Sequence, residues 1–192
     1  MTKEATRPNY LDISSHFLHD AIDFEVRYKH CINSEGPLFY TPRSRRAKCF
    51  IDLRMGIEAI LKSFISYHEH QDRKGKRIIN WIEKFGHKIE KMIAKAKPHL
   101  PQDWIEQYEV PLLKLDNLPV GLRYRLDAWD FRGNKEELYY DTIGSDVWLG
   151  EIHSALIELT KLINSLLKKH DRILGGNELL AEMEEVWFEK YT

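Results

Sequence analysis

The stretch RRAKCFIDLRMGIEAILKSFISYHEH, residues 45–70, decides the fold. Its apolar residues recur at three- and four-residue steps, so they lie on one side of a helix. These residues are Cys49, Phe50, Leu53, Ile57, Ile60, Leu61 and Phe64. Gly56 stands inside the pattern, where glycine costs about 1 kcal/mol relative to alanine. Its missing side chain indicates that another helix approaches closely at this point.

Four other segments have the same periodicity. Three of them, residues 10–32, 77–97 and 146–170, are long, and the fourth is a short helix expected at 102–110 within the least regular region of the chain. In 77–97 the apolar phase continues across Gly86, which predicts one kinked helix or two short helices nearly in line. Pro111 is expected to end the short helix, and Ser145 or Asp146 to cap the last one.

The fold class that follows is all-α. Four long helices with mostly short connections predict a single domain, built as an antiparallel up-and-down four-helix bundle over about residues 10–170. An additional amphipathic helix is expected at about residues 177–190. In such a bundle the loop at 36–42 and the long connection after Pro111 share one end. The turn at 71–77 lies at the other end.

Composition narrows the functional classes. The chain has 192 residues with a net charge of -1, so it lacks an overall basic field, and any polyanion contact needs a local patch. Two cysteines without a Cys/His cluster predict neither a disulfide framework nor a zinc site, and no cofactor is expected. No apolar run reaches about 18 residues and the first residues do not resemble a signal peptide, so no membrane contact and a cytoplasmic location are expected.

Three stretches together resemble HEPN domains, a helical family named from higher eukaryotes and prokaryotes. The helix at 45–70 carries a small and acidic pair, Gly56 and Glu58, as in the second helix of the family. FGHKIEKMIAKA, residues 85–96, is similar to its Gly-His-Asp-Leu motif, with Lys88 at the acidic position. GLRYRLD, residues 121–127, is similar to its Arg-Tyr element. The resemblance implies a four-helix bundle, a homodimer formed through helix faces, and a prokaryotic defence or toxin–antitoxin setting.

One departure from the family bears on activity. Catalytic members carry an arginine followed by a histidine five to seven residues later, and no arginine of this chain has one. The resemblance therefore implies a non-catalytic interaction or regulatory module. The alternative is a metal-independent RNA-cleaving enzyme with an atypical site, using Arg123 or Arg125 with His87 or His153.

His87 has two interpretations. A glycine before a polar residue in a helical pattern usually marks a kink or a new helix start, where the imidazole meets free backbone groups. A catalytic histidine needs an oriented partner, and none stands at helical spacing around residue 87. The pattern therefore favours an architectural role.

Arginines gather at the end that the two long connections are predicted to share. The candidate site for RNA or nucleotide phosphates consists of Arg43, Arg45, Arg46, Arg123, Arg125 and Arg132, with Tyr124 and Trp129 for base stacking. The alternative is an internal ion-pair cluster, neutralised by acidic residues of the long connection and of the C-terminal segment. An arginine at a helix N-terminus favours this alternative, because it opposes the helix dipole unless it is paired.

The remaining candidates are weaker. His68 with His70, and His16 with His19, are explained by exposed polar faces, so no metal site is predicted. The C-terminal segment, NELLAEMEEVWFEKYT, has apolar residues on one side and glutamates on the rest. It either packs on the bundle as a fifth helix or binds a second subunit or a partner protein.

Overall fold

The computed structural model describes residues 9–33, 41–69, 76–118 and 140–170. All regular structure in these residues is helical, which confirms the all-α prediction. The α-helices are α1 (Tyr10–Asn33), α2 (Pro42–Glu69), α3 (Lys76–Glu83), α4 (Ile89–Ala96), α5 (Gln102–Leu113) and α6 (Asp146–Lys168). Two 3₁₀ turns, Lys97–His99 and Lys114–Asn117, follow α4 and α5. The additional helix expected at 177–190 lies outside the described residues.

Helices α1 and α2 pack against each other in antiparallel directions. Ser14 and Ser63 exchange hydrogen bonds where the helices touch: each hydroxyl donates to the other residue's carbonyl oxygen, at 2.9 and 2.7 Å. Further along, Arg27 donates to the carboxylate of Asp52. Small buried serines bring the two backbones close, and their hydroxyls are satisfied without water.

Helix α6 runs parallel to α2 and packs against both α1 and α2. At one end Arg46 donates to the Gly144 carbonyl at 3.2 Å and pairs with Asp146 at 2.9 Å. At the other end the hydroxyl of Tyr67 lies 3.0 Å from Nε2 of His170. The start of α2 therefore meets the start of α6, where the two long connections were expected to arrive.

The segment at 77–97 is not one kinked helix or two helices in line. Residues 81 and 95 would then lie about 21 Å apart along the axis, yet Nζ of Lys95 lies 6.0 Å from the Trp81 ring. Helices α3 and α4 instead fold back on each other through a turn at residues 84–87, where Gly86 has φ of 54°. Glycine adopts this left-handed conformation without the steric cost that a Cβ brings. Periodicity reports the phase of each helix but not the direction of the chain between them.

Helix α5 then returns along α2 toward its middle. It starts after His99, which lies 3.2 Å from Glu69, and it leads to Leu115, whose carbonyl accepts from Arg54. The prediction that Pro111 ends this helix is wrong, because α5 continues to Leu113. Leu112 is fully buried, and the Pro111 carbonyl accepts a bond from the indole of Trp148 at 3.0 Å. Tertiary contacts thus outweigh the proline at this position.

The apolar stripe predicted for α2 forms the centre of the main core, together with buried residues of α1, α4, α5 and α6. A smaller cluster joins Ile78 and Ile82 of α3 to Ile13 of α1. In the part of the chain that the structure describes, no helix combines the length and apolar composition needed to cross a membrane.

Gly56 is a tight contact between α2 and α6, and its replacement gives a stability prediction. A Cβ there would lie 2.8 Å from a methyl carbon of the buried Leu156, whereas a Cβ at Gly150 of α6 meets nothing within 4 Å. We expect Gly56→Ala to destabilise the protein by about 1–2 kcal/mol, because overpacking exceeds the gain in helix propensity. Gly150→Ala should stabilise it by up to about 1 kcal/mol.

The measurement is urea denaturation followed by circular dichroism. In a Leu156→Ala background the clash disappears, so Gly56→Ala should become neutral or stabilising. If Gly56→Ala stabilises the otherwise unchanged protein as much as Gly150→Ala does, the close approach is not tight.

His68, near the end of α2, gives a pH prediction. Its ring stacks on His99 at a centroid distance of 4.6 Å, and its Nε2 is buried without a hydrogen-bond partner. Burial, and next the neighbouring His99, lower the pKa of His68 to about 4. The unfolded chain, whose histidines titrate near pH 6.5, then binds the proton more tightly. The contribution of neutral His68 to stability is therefore fully present above pH 6.5 and is lost as the pH falls toward 4.

We expect His68→Gln to remove roughly 1–2 kcal/mol of the stability difference between pH 7 and pH 4.5, allowing for partial solvent exposure. The measurement is chemical denaturation at both pH values. His16→Gln, at an exposed position on α1, serves as the control and should leave the difference unchanged. If the wild type and His68→Gln lose stability equally between pH 7 and pH 4.5, the lowered pKa of His68 is not a source of this pH dependence.

Candidate functional site

Helix α2 carries three charged residues in a row on a face that is largely buried. Arg54, Glu58 and Lys62 follow at four-residue spacing, which places them one above another. Their side chains are 5%, 5% and 14% exposed. Buried charges are expensive unless they are paired, so the surroundings of these residues define the candidate site.

Glu58 is the centre of this row. Its carboxylate accepts from Nζ of Lys62 at 2.6 Å, and both of its oxygens lie near Nδ1 of His87, at 2.9 and 3.1 Å. His87 comes from the α3–α4 turn, 29 residues further along the chain. The sequence offered no partner for His87 at helical spacing, whereas the structure supplies one from another helix.

Arg54 holds the backbone of that turn. It donates to the His87 carbonyl at 3.1 Å and to the carbonyl of Leu115, which follows α5. Burial lowers the pKa of the guanidinium, and the nearby carboxylates of Asp116 and Glu58 oppose this effect. A single buried side chain therefore joins α2, the α3–α4 turn and the 3₁₀ turn after α5.

Asp116 supplies the cap that α4 lacks in its own sequence. The residue before α4 is Lys88, which makes no side-chain capping bond. Instead, the carboxylate of Asp116 accepts from the backbone N–H groups of Ile89 and Glu90, at 3.1 and 2.8 Å. It also lies 3.5 Å from Arg54. The negative charge at the start of α4 is favourable to the helix dipole.

The result is an exposed histidine on a buried support. The His87 side chain is 57% exposed, whereas the carboxylate that orients it is almost fully buried. Facing a carboxylate, Nδ1 carries the proton and donates it to Glu58, which leaves Nε2 for a ligand. Such a pair is able to donate to a phosphate when protonated, or to accept a proton when neutral.

Basic residues surround this histidine on the surface. The segment 76–97 contains seven Lys and Arg residues against two Glu residues, in a chain whose net charge is -1. Lys84, Lys88 and Lys91 are exposed, and no carboxylate of the described residues forms an ion pair with them. We call Lys84, His87, Lys88 and Lys91 the lysine face. The local patch that polyanion binding needs is therefore present on α4 and the turn before it.

His153, the second candidate histidine, occupies a different setting. Its Nε2 lies 3.1 Å from Glu25, which also pairs with Lys29 at 2.7 Å, and its ring lies 4.7 Å from that of Tyr28. Burial alone would raise the pKa of Glu25, but the bonds from His153 and Lys29 outweigh it and lower that pKa. The side chain of His153 is only 21% exposed. Each candidate histidine thus has its own glutamate and lysine.

The predicted arginine-rich end is described in part. Arg46 holds the start of α6 through Ile143, Gly144 and Asp146, which agrees with the ion-pair alternative for this residue. Arg45 is exposed, and the side chain of Arg43 is not among the described ones. The other predicted members, Arg123, Tyr124, Arg125, Trp129 and Arg132, lie outside the described residues. The anion site at this end stays a prediction.

Other reactive groups lie in ordinary surroundings. Within residues 9–33, 41–69, 76–118 and 140–170, no three His, Cys, Asp or Glu side chains are grouped so that they could hold a metal ion. Cys31 and Cys49 are free thiols, and burial raises the pKa of Cys49 to about 11. This thiol is therefore protonated at neutral pH and a poor nucleophile.

Glu58 and Asp116 are the functional side chains that sequence reasoning missed as partners. The sequence alone sets Glu58 beside Gly56 and gives no sign of a role for Asp116. The available signal was a charge inside an apolar helical stripe. Buried carboxylates need partners, so Glu58 pointed to a cation or a donor from another element.

The buried row gives a prediction about its central carboxylate. We expect Glu58→Gln to destabilise the protein by about 3 kcal/mol, because Lys62 loses its charged partner in a buried position. Lys62→Met in the same chain should recover most of this loss, and His87→Gln alone should cost less than about 1 kcal/mol. Urea denaturation measures all three. A Glu58→Gln variant within 0.5 kcal/mol of the wild type would contradict the paired, buried state of Glu58.

Comparison with known proteins adds no assignment to this geometry. No protein-family model, no curated protein and no solved structure matches the chain. The function must be argued from the site itself.

Proposed function

We propose that this protein is a non-catalytic, HEPN-like helical module that binds RNA through the lysine face. In this proposal α1, α2 and α6 are three members of an up-and-down four-helix bundle. Helices α4 and α5 share the place of the remaining member. The resemblance adds a homodimer and a defence or toxin–antitoxin setting to the proposal.

The observation that supports RNA binding is the set of unpaired lysines beside an oriented histidine. Several lysines of the bundle are neutralised: Lys62 pairs with Glu58, Lys95 with Glu69 and Lys97 with Glu109. Lys161, Lys168 and Lys169 of α6 and its end, like the lysine face, form no ion pair within the described residues. The lysines of the lysine face have no such partner in the described residues, so their charge is available to a ligand. Glu58 and Arg54 hold the turn beneath them, which reduces the entropy lost on binding.

A chain of phosphates fits this surface better than a single nucleotide does. Lys88 lies just before α4 and Lys91 in its first turn, both exposed, and Lys84 lies before them in the α3–α4 turn. Separate charges along an exposed surface neutralise successive phosphates, as in nonspecific single-strand binding. A nucleotide site would instead bury its ligand in a concave pocket.

The binding prediction uses two charge-reversal variants with equal charge. Lys84→Glu/Lys88→Glu/Lys91→Glu changes the lysine face, and Lys161→Glu/Lys168→Glu/Lys169→Glu changes three exposed lysines of α6 and its end. We expect the first variant to bind a labelled single-stranded RNA at least 10-fold more weakly at 50 mM salt, because three phosphate contacts are lost. Its slope of log affinity against log salt concentration should be smaller by about 2.

Fluorescence anisotropy over a salt series measures both quantities. The α6 variant should bind within about twofold of the wild type. Equal losses in the two variants would show that only net charge matters, and an absence of wild-type binding at 50 mM salt would refute the proposal.

RNA cleavage is the second candidate, and the His87–Glu58 pair favours it. A carboxylate that fixes a histidine tautomer prepares the ring for proton transfer, for example from a ribose 2′-hydroxyl. His87 has no second acid–base partner beyond Glu58 in the described residues, so binding is the primary proposal. Denaturing gels of the same RNA, incubated with EDTA, decide between the two. Products that disappear in His87→Gln would replace binding by cleavage.

A further inference from the structure

The described chain ends close to the helices that carry the lysine face. Helix α6 leads to His170, whose Nε2 lies 3.0 Å from the hydroxyl of Tyr67. The Tyr67 ring lies 6.3 Å from that of Tyr10, and Tyr10 packs on the small cluster formed with α3. His170, the last described residue, therefore lies on the side of the bundle where α3 packs, at the end where α2 and α4 also end.

The chain that follows is strongly acidic. Residues 177–192 contain five glutamates and one lysine. Four of the glutamates, Glu178, Glu182, Glu185 and Glu189, have the spacing of one side of a helix. The segment 76–97, with seven basic and two acidic residues, has the opposite charge.

The lengths allow these two segments to meet. Residues 171–176 span up to about 20 Å when extended. Along α2, Glu69 lies beside Lys95, and Glu58, which holds His87, is 11 residues or about 16 Å away. Arg46, at the other end of α2, is 23 residues or about 35 Å from Glu69. The lysine face is thus an unpaired basic surface within reach of the segment, whereas the start of α2 is not; the exposed Lys161, Lys168 and Lys169 of α6 and its end are the competing surface.

Apolar contact is also available on α3. Ile79 is 41% exposed, one of few large apolar side chains left open in the described residues. The acidic segment carries apolar residues at helical spacing beside its glutamates: Leu179, Leu180, Met183, Val186 and Trp187. Burial of this side against α3 would add to the attraction between charges.

We propose that the C-terminal acidic segment, residues 177–190, docks on the lysine face of its own molecule and competes there with RNA. The four glutamates take the places of phosphates, and the apolar side covers Ile79. The docking rests on charge, length and the position of the chain end. The competition rests in addition on the proposed RNA binding.

The first test is zero-length carbodiimide cross-linking of the unmodified protein, with peptide mapping by mass spectrometry. We expect amide links between Lys84, Lys88 or Lys91 and the glutamates of 177–190, formed without RNA and lost at 0.5 M salt. An equal mixture of ¹⁴N- and ¹⁵N-labelled protein distinguishes links within a molecule from links between copies. Links between copies, or links to Lys161 in place of the lysine face, would overturn the proposal.

The second test concerns competition and uses full-length protein. Glu178→Gln/Glu182→Gln/Glu185→Gln/Glu189→Gln should bind the labelled RNA at least fivefold more tightly than the wild type at 50 mM salt. The difference should vanish near 0.5 M salt. Unchanged affinity would overturn the competition. Intramolecular links in a protein without RNA affinity would support the docking and refute only the RNA function.

Discussion

A guanidinium buried in the middle of α2 connects the elements on which the rest of the structure depends. Arg54 donates to the carbonyls of His87 and Leu115 and lies near Asp116. These three residues belong to two connections that the hydrophobic stripes alone do not fix. Buried backbone carbonyls need donors, and a rigid guanidinium with several N–H groups is able to supply more than one of them. The position of the α3–α4 turn, and of everything that it carries, follows from this residue.

Burial of Arg54 sets a second requirement, which is compensation of its charge. Asp116 lies beside it and also caps α4, so one carboxylate satisfies a cation and two backbone N–H groups. One helical turn further along α2, Glu58 compensates the charge of Lys62 and orients His87. Residues with structural roles beneath the surface thus determine the geometry of the exposed histidine. The architectural and functional interpretations of His87 are compatible, because the bonds that hold the turn also orient the ring.

The sequence predicted the parts of the fold that depend on periodicity. The limits of α1, α2 and α6 agree with the apolar stripes to within three residues, because each helix buries one continuous face. Gly56 was correctly interpreted as a close approach. The path through α3 and α4 was not predictable in the same way, because a stripe that keeps its phase across Gly86 is equally compatible with a straight and a reversed chain. The continuation of α5 past Pro111 was likewise not predictable, because it is supported by a hydrogen bond from Trp148, a residue 37 positions away.

The candidate site was less predictable than the fold, for an electrostatic reason. The arginines of the sequence predict an anion site at the end where α2 begins, and this stays a prediction because Arg123, Arg125 and Arg132 lie outside the described residues. The structure shows Arg46 engaged with the start of α6, where it serves the fold. Lysines in a mixed charge run give no such signal, since some of them, such as Lys95 and Lys97, are neutralised by glutamates from other helices. Which lysines of the segment 76–97 stay unpaired depends on where Glu69 and Glu109 lie, and only the packing determines that. Charge available to a ligand is therefore a property of the folded surface, and in the described residues one group of such charges lies beside His87.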